Sequence, residues 1–325
     1  MHLAAVLRQD WQQPVLHSAR PRESALLDVA DSRGRRIQRV MDYIEARLDA
    51  PLQLEELASL ACFSPCHFDR VFHAATGEPP FEHIRLRRML RAAQRVRHDT
   101  DTPIHVIARD CGFSSDAAFA KAFRRQFGMP AREWRRGGWR RYMDQVLGIA
   151  RDGSTPVPEP APHGRDGLAG RVQLRTLPAQ QVVYRRWHGV GTDGLATQVS
   201  RYAGELAAAD LLPDGGCCYG VMQDDFGLVG PAQFVFELAV PAPAAVPSTL
   251  VTRSLPGGLY ALVEAQGMPV WFQWLYEDWL EGSAYTLDCQ RPHLECHQRV
   301  GDTVQLRWLA LPVRRLGGVY AGSSF

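Results

Sequence analysis

The amino-acid sequence predicts two domains: an all-α domain built from two helix-turn-helix units, followed by an α+β domain with internal pseudo-symmetry. Three observations lead to this fold class. The stretch "CFSPCHFDRVF" at 62–72 is nearly repeated as "GFSSDAAFAKAF" at 112–123. A segment rich in Pro and Gly, at 151–170, lacks periodicity and is typical of a linker. Beyond this segment, the order strand-helix-strand-strand occurs twice.

These features divide the chain into an N-terminal extension of unassigned role (1–32), the all-α domain (33–141), a linker (142–169) and the α+β domain (170–325). The charge is distributed unevenly between the two domains. The all-α domain holds 21 Lys and Arg and 13 Asp and Glu, a net charge of +8, whereas residues 166–325 have a net charge of −4. This asymmetry indicates a polyanionic partner for the first domain alone.

The composition indicates a cytoplasmic protein that contacts no membrane. The N-terminus "MHLAAVLRQDWQQPVL" lacks the basic start and sustained apolar run of a signal peptide, and no stretch of eighteen apolar residues occurs. The seven Cys residues include no CxxC pair. An odd number without that motif argues against a disulfide framework and favours a reducing cytosol.

Apolar spacing predicts six helices in the first domain. In the first helix, Ile37, Val40 and Ile44 share one stripe. Ser64 is a favourable N-cap for the third helix, and Pro65 suits its first helical position. The six helices are expected at 35–48, 54–61, 64–76, 80–98, 103–111 and 116–127.

Both copies of the repeat carry two Phe residues four positions apart, Phe68/Phe72 and Phe119/Phe123. Since such positions share one helix face, we expect each pair to anchor its helix in a small core. The positions between them then face outward, where Arg70 can donate two hydrogen bonds to a guanine edge. A solvated helix face is the alternative for these polar residues. The outward positions are Cys66, Asp69, Arg70 and His73 in the first copy, and Asp116, Ala117, Ala120, Lys121, Arg124 and Arg125 in the second.

Residues 54–136, from "LEELASLACFSPCHFDRVF" to "FRRQFGMPAREWRR", resemble the double helix-turn-helix DNA-binding domain of AraC/XylS-type transcription regulators. The resemblance implies that the second helix of each unit addresses successive major-groove segments of double-stranded promoter DNA, and that RNA polymerase is a partner. Carried over position by position, it assigns DNA contacts to Cys66, Asp69 and Arg70 in the first unit and to Asp116, Ala117, Ala120 and Lys121 in the second.

The sequence departs from this family in two places. The second copy has small or acidic residues where hydrogen-bond donors are expected, so we expect the first copy to read most of the bases. Arg124 and Arg125 suit phosphates, which position a protein without specifying sequence. The family usually has Gly in the first turn, as the second copy does at Gly112, but the first copy has Cys62. A left-handed backbone at Cys62 would cost about 1–2 kcal/mol.

The helix that joins the two units is short for its task. About 18 residues span roughly 27 Å, whereas adjacent major-groove segments on one face lie about 34 Å apart. Either the DNA bends or only one unit docks fully.

In the second domain, "LPAQQVVYRRWHGVG" (177–191) corresponds to "LPGGLYALVEAQGMP" (255–269). Together with "RPHLECH" (291–297), this portion resembles the GyrI-like effector-binding domain. The resemblance implies an apolar, aromatic-lined cavity in which Glu295 pairs with a small organic effector, a lipophilic cation. His297 stands where the family usually has Tyr. The other candidate effector contacts are Tyr184, Trp187, Tyr260, Trp271 and Trp274.

Several alternatives stay open for this domain. Any one of the aromatic residues could simply fill the core. Strand alternation places His293, Glu295 and His297 on one face, but we do not favour a zinc site, because neighbours two apart rarely complete a tetrahedron. We expect no metal, no cofactor and no catalysis. The alternatives are a small-molecule hydrolase with Glu295 as general base, and a ligand-free protein-interaction module.

Overall fold

The computed structural model describes residues 29–147, 171–188, 192–222, 228–229, 234–247, 250–265, 274–301 and 303–316. They form a helical first domain and a second domain built on an antiparallel sheet, so the predicted fold class is confirmed. Across these ranges, no helix combines the length and apolarity that crossing a bilayer requires.

All six predicted helices of the first domain are present. The first begins earlier than the expected 35 and before the expected domain boundary at 33. Two further helices, which the sequence did not indicate, follow the second unit and are joined by a π-helical segment at Trp134–Gly138. The helices are α1 (Val29–Ala46), α2 (Leu54–Leu60), α3 (Pro65–Thr76), α4 (Pro80–His98), α5 (Ile104–Asp110), α6 (Asp116–Phe127), α7 (Ala131–Glu133) and α8 (Trp139–Leu147).

The two helix-turn-helix units have separate cores, the second of which continues into the α+β domain, and α4 contributes to both. Ile84 packs with Phe68 and Phe72 in the core of the first unit. Further along α4, Ala93 belongs to the core of the second unit, where its carbonyl accepts a hydrogen bond from the Trp134 indole at 3.0 Å. The joining helix is therefore part of the packing of both units.

The sheet of the second domain has the strand order β1-β6-β9-β8-β3-β4-β2-β5, and β7 pairs with β9. Read from either end, this order places corresponding strands of the two halves at matching positions, so the halves meet where β3 pairs with β8. The strands are β1 (Gln173–Leu177), β2 (Gln180–His188), β3 (Cys217–Met222), β4 (Val235–Pro241), β5 (Thr252–Leu255), β6 (Gly258–Glu264), β7 (Tyr285–Leu287), β8 (His293–Val300) and β9 (Thr303–Arg315).

Two short strands exchange partners between the halves. β1 precedes β2 in the chain but pairs with β6, and β5 precedes β6 but pairs with β2. The two Leu-Pro turns meet as a result: a Cβ atom on Gly257 would stand 2.3 Å from the backbone nitrogen of Ala179. Only Gly fits at this crossing. The strands β1, β5 and β7 were not predicted.

The two faces of the sheet have different partners. One face, here called the helix face, packs against α9 (Thr192–Ala208) and the π-helical turn α10 (Leu275–Trp279). The opposite face has its own apolar cluster, which includes Tyr184, Tyr260 and Leu294. Because side chains alternate along a strand, the face of a sheet residue follows from these clusters, except at the register shift in β9 between Leu306 and Trp308.

Candidate DNA-reading and effector sites

Helix α3 presents the side chains that the sequence predicted as readers in the first unit. Phe68 and Phe72 are fully buried, as expected of the anchoring pair. On the other side of the helix, Cys66 and Arg70 are exposed and Asp69 is partly exposed. This is the arrangement that a recognition helix requires.

Helix α6 repeats this arrangement with different chemistry. Ser115 is its N-cap, and the Ser115 hydroxyl accepts a hydrogen bond from the Ala118 backbone nitrogen at 3.2 Å. Asp116, Ala117, Ala120, Lys121, Arg124 and Arg125 are all exposed. Ala117 and Ala120 have no side-chain donors, so their contribution to direct base reading is limited to apolar contact.

Many of the arginines in the basic first domain bind protein groups. On α4, Arg88 donates to the carbonyls of Leu48 and Ala50 at 2.7 and 2.6 Å. On the same helix, Arg87 and Arg91 form ion pairs with Glu45. Burial opposes ionisation of Glu45, but these two guanidinium groups lower its pKa to about 2. Three of the domain's arginines thus hold α4 against the first unit.

One further candidate for DNA contact was missed by the sequence analysis. Arg33, on α1, is exposed and borders an open groove of about 480 Å³ together with His67 and Arg70 of the reading helix. A second guanidinium beside Arg70 suits a phosphate that flanks the bases. The signal for it was the Arg-rich start of the domain, "RGRRIQR", in which Arg33 lies just before the helix expected at 35–48.

Glu295 lies on the helix face, on strand β8, where the two halves of the domain meet. Its Oε2 atom is 3.1 Å from His297 Nε2. It also adjoins the backbone of Gly220, since a Cβ atom there would stand 3.0 Å from both Glu295 Oε2 and the Phe236 ring. The carboxylate is therefore next to an aromatic ring and 22% exposed.

The remaining effector candidates do not all gather around Glu295. Trp187 lies on the same face, with ring centroids 6.4 Å from Phe236 and 5.8 Å from Tyr202. Trp274 is buried in the separate cluster under α10. Tyr184 and Tyr260 lie on the opposite face of the sheet. Trp271 falls outside the described residues.

The opposite face contains an ion-pair network that the sequence analysis missed. Glu237 is fully buried and accepts hydrogen bonds from Arg186 Nε at 2.6 Å and from Arg253 Nε at 3.1 Å. Burial opposes ionisation of Glu237, but the two guanidinium groups hold its pKa below the ordinary value. A lone carboxylate inside the apolar strand "FVFELAV" was the available signal, because a buried charge needs partners.

The His/Glu/His set does not extend to a metal site within the part of the chain that the structure describes. No group of three or more His, Cys, Asp or Glu side chains there is placed to hold a metal ion. His293 instead contacts the hydroxyl of Tyr276, and His297 contacts Glu295.

Comparison with known proteins agrees with both halves of this description. Residues 57–137 match the model of a helix-turn-helix domain family, and residues 171–299 match the GyrI-like small molecule binding domain. Over 99 residues, 30% of this chain, it is 34% identical to the regulatory protein SoxS of Salmonella typhimurium, covering 92% of that protein. Over the same length it is 31% identical to the multiple antibiotic resistance protein MarA of Escherichia coli, covering 77% of it.

A solved AraC-type transcriptional regulator from Chromobacterium violaceum is 28% identical, with a TM-score of 0.30; the match covers 33% of this chain and 94% of that one. The match to SoxS extends over almost the whole of that protein, and together with the helix-turn-helix and GyrI-like matches it shows the family of this chain. The chain belongs to the AraC family of transcription regulators and carries a GyrI-like small-molecule-binding domain.

Proposed function

We propose that this DNA-binding regulator responds to a lipophilic organic cation, which pairs with Glu295 on the helix face of the GyrI-like domain. The observation that carries the proposal is the position of Glu295: a partly exposed carboxylate beside the Phe236 ring, which lies 6.4 Å from the Trp187 ring, at the meeting point of the two halves. Aromatic faces and a carboxylate attract a cation by cation–π contact and charge pairing together.

The proposed site is smaller than the set of contacts expected from the sequence. Glu295, His297 and Trp187 share the helix face, so they form the proposed contact set with Phe236 as an addition. His297 already occupies one oxygen of Glu295, so an entering cation must compete with it or share the carboxylate. Tyr184 and Tyr260 lie on the opposite face of the sheet, so they are not part of the proposed effector site.

In this proposal the protein is a cytoplasmic regulator that acts with RNA polymerase at promoters and performs no catalysis. Support comes from the exposed reading helices, which have the form of a DNA-binding surface, and from the first domain's net charge. A hydrolase would need Glu295 to activate a water molecule. Product analysis after incubation with reactive esters or epoxides tests that alternative, since turnover would contradict the proposal.

Calorimetry with a matched pair of ligands tests the effector assignment. Methyltriphenylphosphonium and triphenylphosphine oxide have nearly the same shape, but only the first is charged. We expect the wild-type protein to prefer the phosphonium. Glu295→Gln keeps the shape and removes the charge, so it should weaken phosphonium binding about tenfold, equivalent to about 1.4 kcal/mol, and leave the oxide unchanged.

Glu264→Gln is the matched control. Glu264 is exposed and lies on the opposite face of the sheet, so its loss changes the net charge equally without touching the proposed site. Equal losses for both ligands in Glu295→Gln would show that Glu295 is structural. A wild-type preference for the neutral ligand, or for anions, would contradict the assignment directly.

A further inference from the structure

The GyrI-like domain is attached to the first helix-turn-helix unit through Asp42. Asp42 lies on α1, and its carboxylate accepts hydrogen bonds from the Tyr184 hydroxyl at 2.5 Å and from Arg186 Nη2 at 2.7 Å. Arg186 is itself held by Glu237, which is fully buried in the sheet. This contact ties the first unit to strand β2 on the opposite face of the sheet.

The same domain is attached a second time, at the junction between the two units. His98 is the last residue of α4, and its carbonyl accepts a hydrogen bond from the Thr286 hydroxyl at 2.6 Å. The next residue, Asp99, is 3.6 Å from Arg314 Nη2. The His98 ring lies 5.7 Å from that of Tyr276.

These two attachments are far apart along the first domain. Asp42 lies on α1 in the first unit, whereas His98 and Asp99 lead into α5 and the second unit. Within the first domain, the units are connected by α4, whose 19 residues span about 28 Å, and the Gly112 turn also adjoins the Leu48 carbonyl. The sheet thus forms a second connection, in addition to α4, from the first unit to the start of the second unit.

We propose that the GyrI-like domain is a brace that fixes the distance and angle between the two reading helices, and so sets which spacing of half-sites the protein accepts. α8 adds contacts to the same domain, since Arg140 pairs with Glu281 at 2.9 Å and the Tyr142 hydroxyl donates to the Leu228 carbonyl at 3.4 Å. A first domain held in this way cannot adjust the second unit to DNA whose half-sites are displaced. Bending such DNA costs a few kcal/mol, so the braced protein discriminates between spacings even where it contacts no base.

The effector site is connected to this brace by one strand. His293 begins β8 and lies two residues before Glu295 on the same face. The ring of His293 contacts the hydroxyl of Tyr276, which in turn packs against His98 at the junction. A ligand at Glu295 therefore acts on the second attachment through His293 and Tyr276; this step, unlike the brace itself, rests on the proposed function.

Binding to DNA of varied spacing tests the brace. A duplex selected by the wild-type protein from a random pool is remade with one and two base pairs inserted between the half-sites. The wild type should bind the original spacing best. Asp42→Ala removes the first attachment, and Thr286→Val removes the hydroxyl of the second while keeping its shape. Each should reduce the preference for the original spacing about fivefold.

Matched controls separate this effect from general damage. Thr303→Val removes a hydroxyl that bonds the Val300 carbonyl within the GyrI-like domain, at 3.0 Å. Glu55→Ala removes one negative charge from an exposed position of the first domain. Both should keep the wild-type spacing profile. Affinity for a duplex with the first half-site alone should be equal in all variants, since none of them changes the reading helix α3.

The proposal fails if Asp42→Ala and Thr286→Val retain the wild-type spacing profile, or if the controls lose it equally. The ligand step has its own readout. Methyltriphenylphosphonium should change the spacing preference of the wild type by threefold or more, which corresponds to weak allosteric coupling. It should not change the spacing preference of Tyr276→Phe, although calorimetry should show that this variant still binds the cation. If the wild type does not bind the cation, the effector assignment is wrong. The spacing profiles measured without ligand would still show whether the GyrI-like domain acts as a brace.

Discussion

Cys62 and Gly112 occupy equivalent turns in the two helix-turn-helix units, and both have a left-handed backbone, with φ of 54° and 79°. The expectation that Cys62 takes this conformation is confirmed. Their surroundings differ. A Cβ atom on Gly112 would stand 2.3 Å from the Leu48 carbonyl oxygen and 2.7 Å from Arg88 Nε, whereas Cys62 is exposed. The second turn requires Gly for space as well as for φ.

Exchanging these residues should therefore have opposite effects. Cys62→Gly relieves the left-handed strain of about 1–2 kcal/mol and adds the chain entropy of Gly, about 0.5–1 kcal/mol, so it should stabilise the first unit slightly. Gly112→Ala should destabilise the second unit by several kcal/mol, because the clash adds to the strain. Thermal unfolding followed by circular dichroism measures both. A lower melting temperature for Cys62→Gly would show that the thiol contributes packing that outweighs the strain.

Arginines on the two reading helices should contribute differently to DNA binding. Arg70→Ala should cost about 1–3 kcal/mol at one base pair and relax specificity there. Arg124→Ala should weaken binding to all sequences alike. It should also reduce the slope of log affinity against log salt concentration by about one, because one fewer counterion is released. Binding to a panel of single-base operator variants at several salt concentrations distinguishes the two effects. A uniform loss for Arg70→Ala would assign Arg70 to phosphate as well.

The helices of the first domain could be predicted closely, because local signals determine them. Pro80 begins α4, and Gly77 and Gly128 end α3 and α6 with φ of 82° and 71°. The periodicity of Phe68 and Phe72 sufficed to place the core. These are relations between residues that are close in the sequence.

The second domain was predicted less completely, because its important relations are between distant residues. Alternation does place Tyr184 and Trp187 on different sides of β2, but it does not say which side faces the effector. The contact of Tyr184 with Asp42 spans 142 positions and joins two domains. Likewise β1 and β5 pair across the pseudo-symmetry, which no local pattern specifies.

The buried network of Glu237 gives a stability prediction for the second domain. Glu237→Leu removes the only acidic partner that Arg253 has among the described ion pairs and leaves Arg186 with Asp42 alone. Breaking a buried ion pair from one side costs about 3–5 kcal/mol. Urea unfolding should show this loss. Arg253→Leu combined with Glu237→Leu should recover part of it, because the pair is then replaced by apolar side chains; no recovery would mean that Glu237 acts mainly through Arg186.

Glu45 gives the first domain a dependence on acid. Its carboxylate is mostly buried, and the ion pairs with Arg87 and Arg91 lower its pKa from the ordinary value of 4.5 to about 2. A carboxylate whose pKa is lower in the folded state stabilises the fold above the unfolded pKa, and this contribution is lost as the pH falls from about 4.5 towards 2. The shift corresponds to about 3 kcal/mol.

Glu45→Gln should therefore be less stable than the wild type at pH 7, by about 2–4 kcal/mol, because it leaves the buried Arg87 without its carboxylate. The difference should shrink as the pH falls, since protonation removes the same charge from the wild type. Glu82→Gln is the control: Glu82 pairs with Arg85 on the surface and is about half exposed, 54%, so its loss should have little effect at any pH. Free energies of unfolding in urea between pH 7 and pH 3 measure the difference. A constant difference between Glu45→Gln and the wild type over this range would show that Glu45 stabilises α4 by its shape and hydrogen bonds, and that its charge contributes nothing.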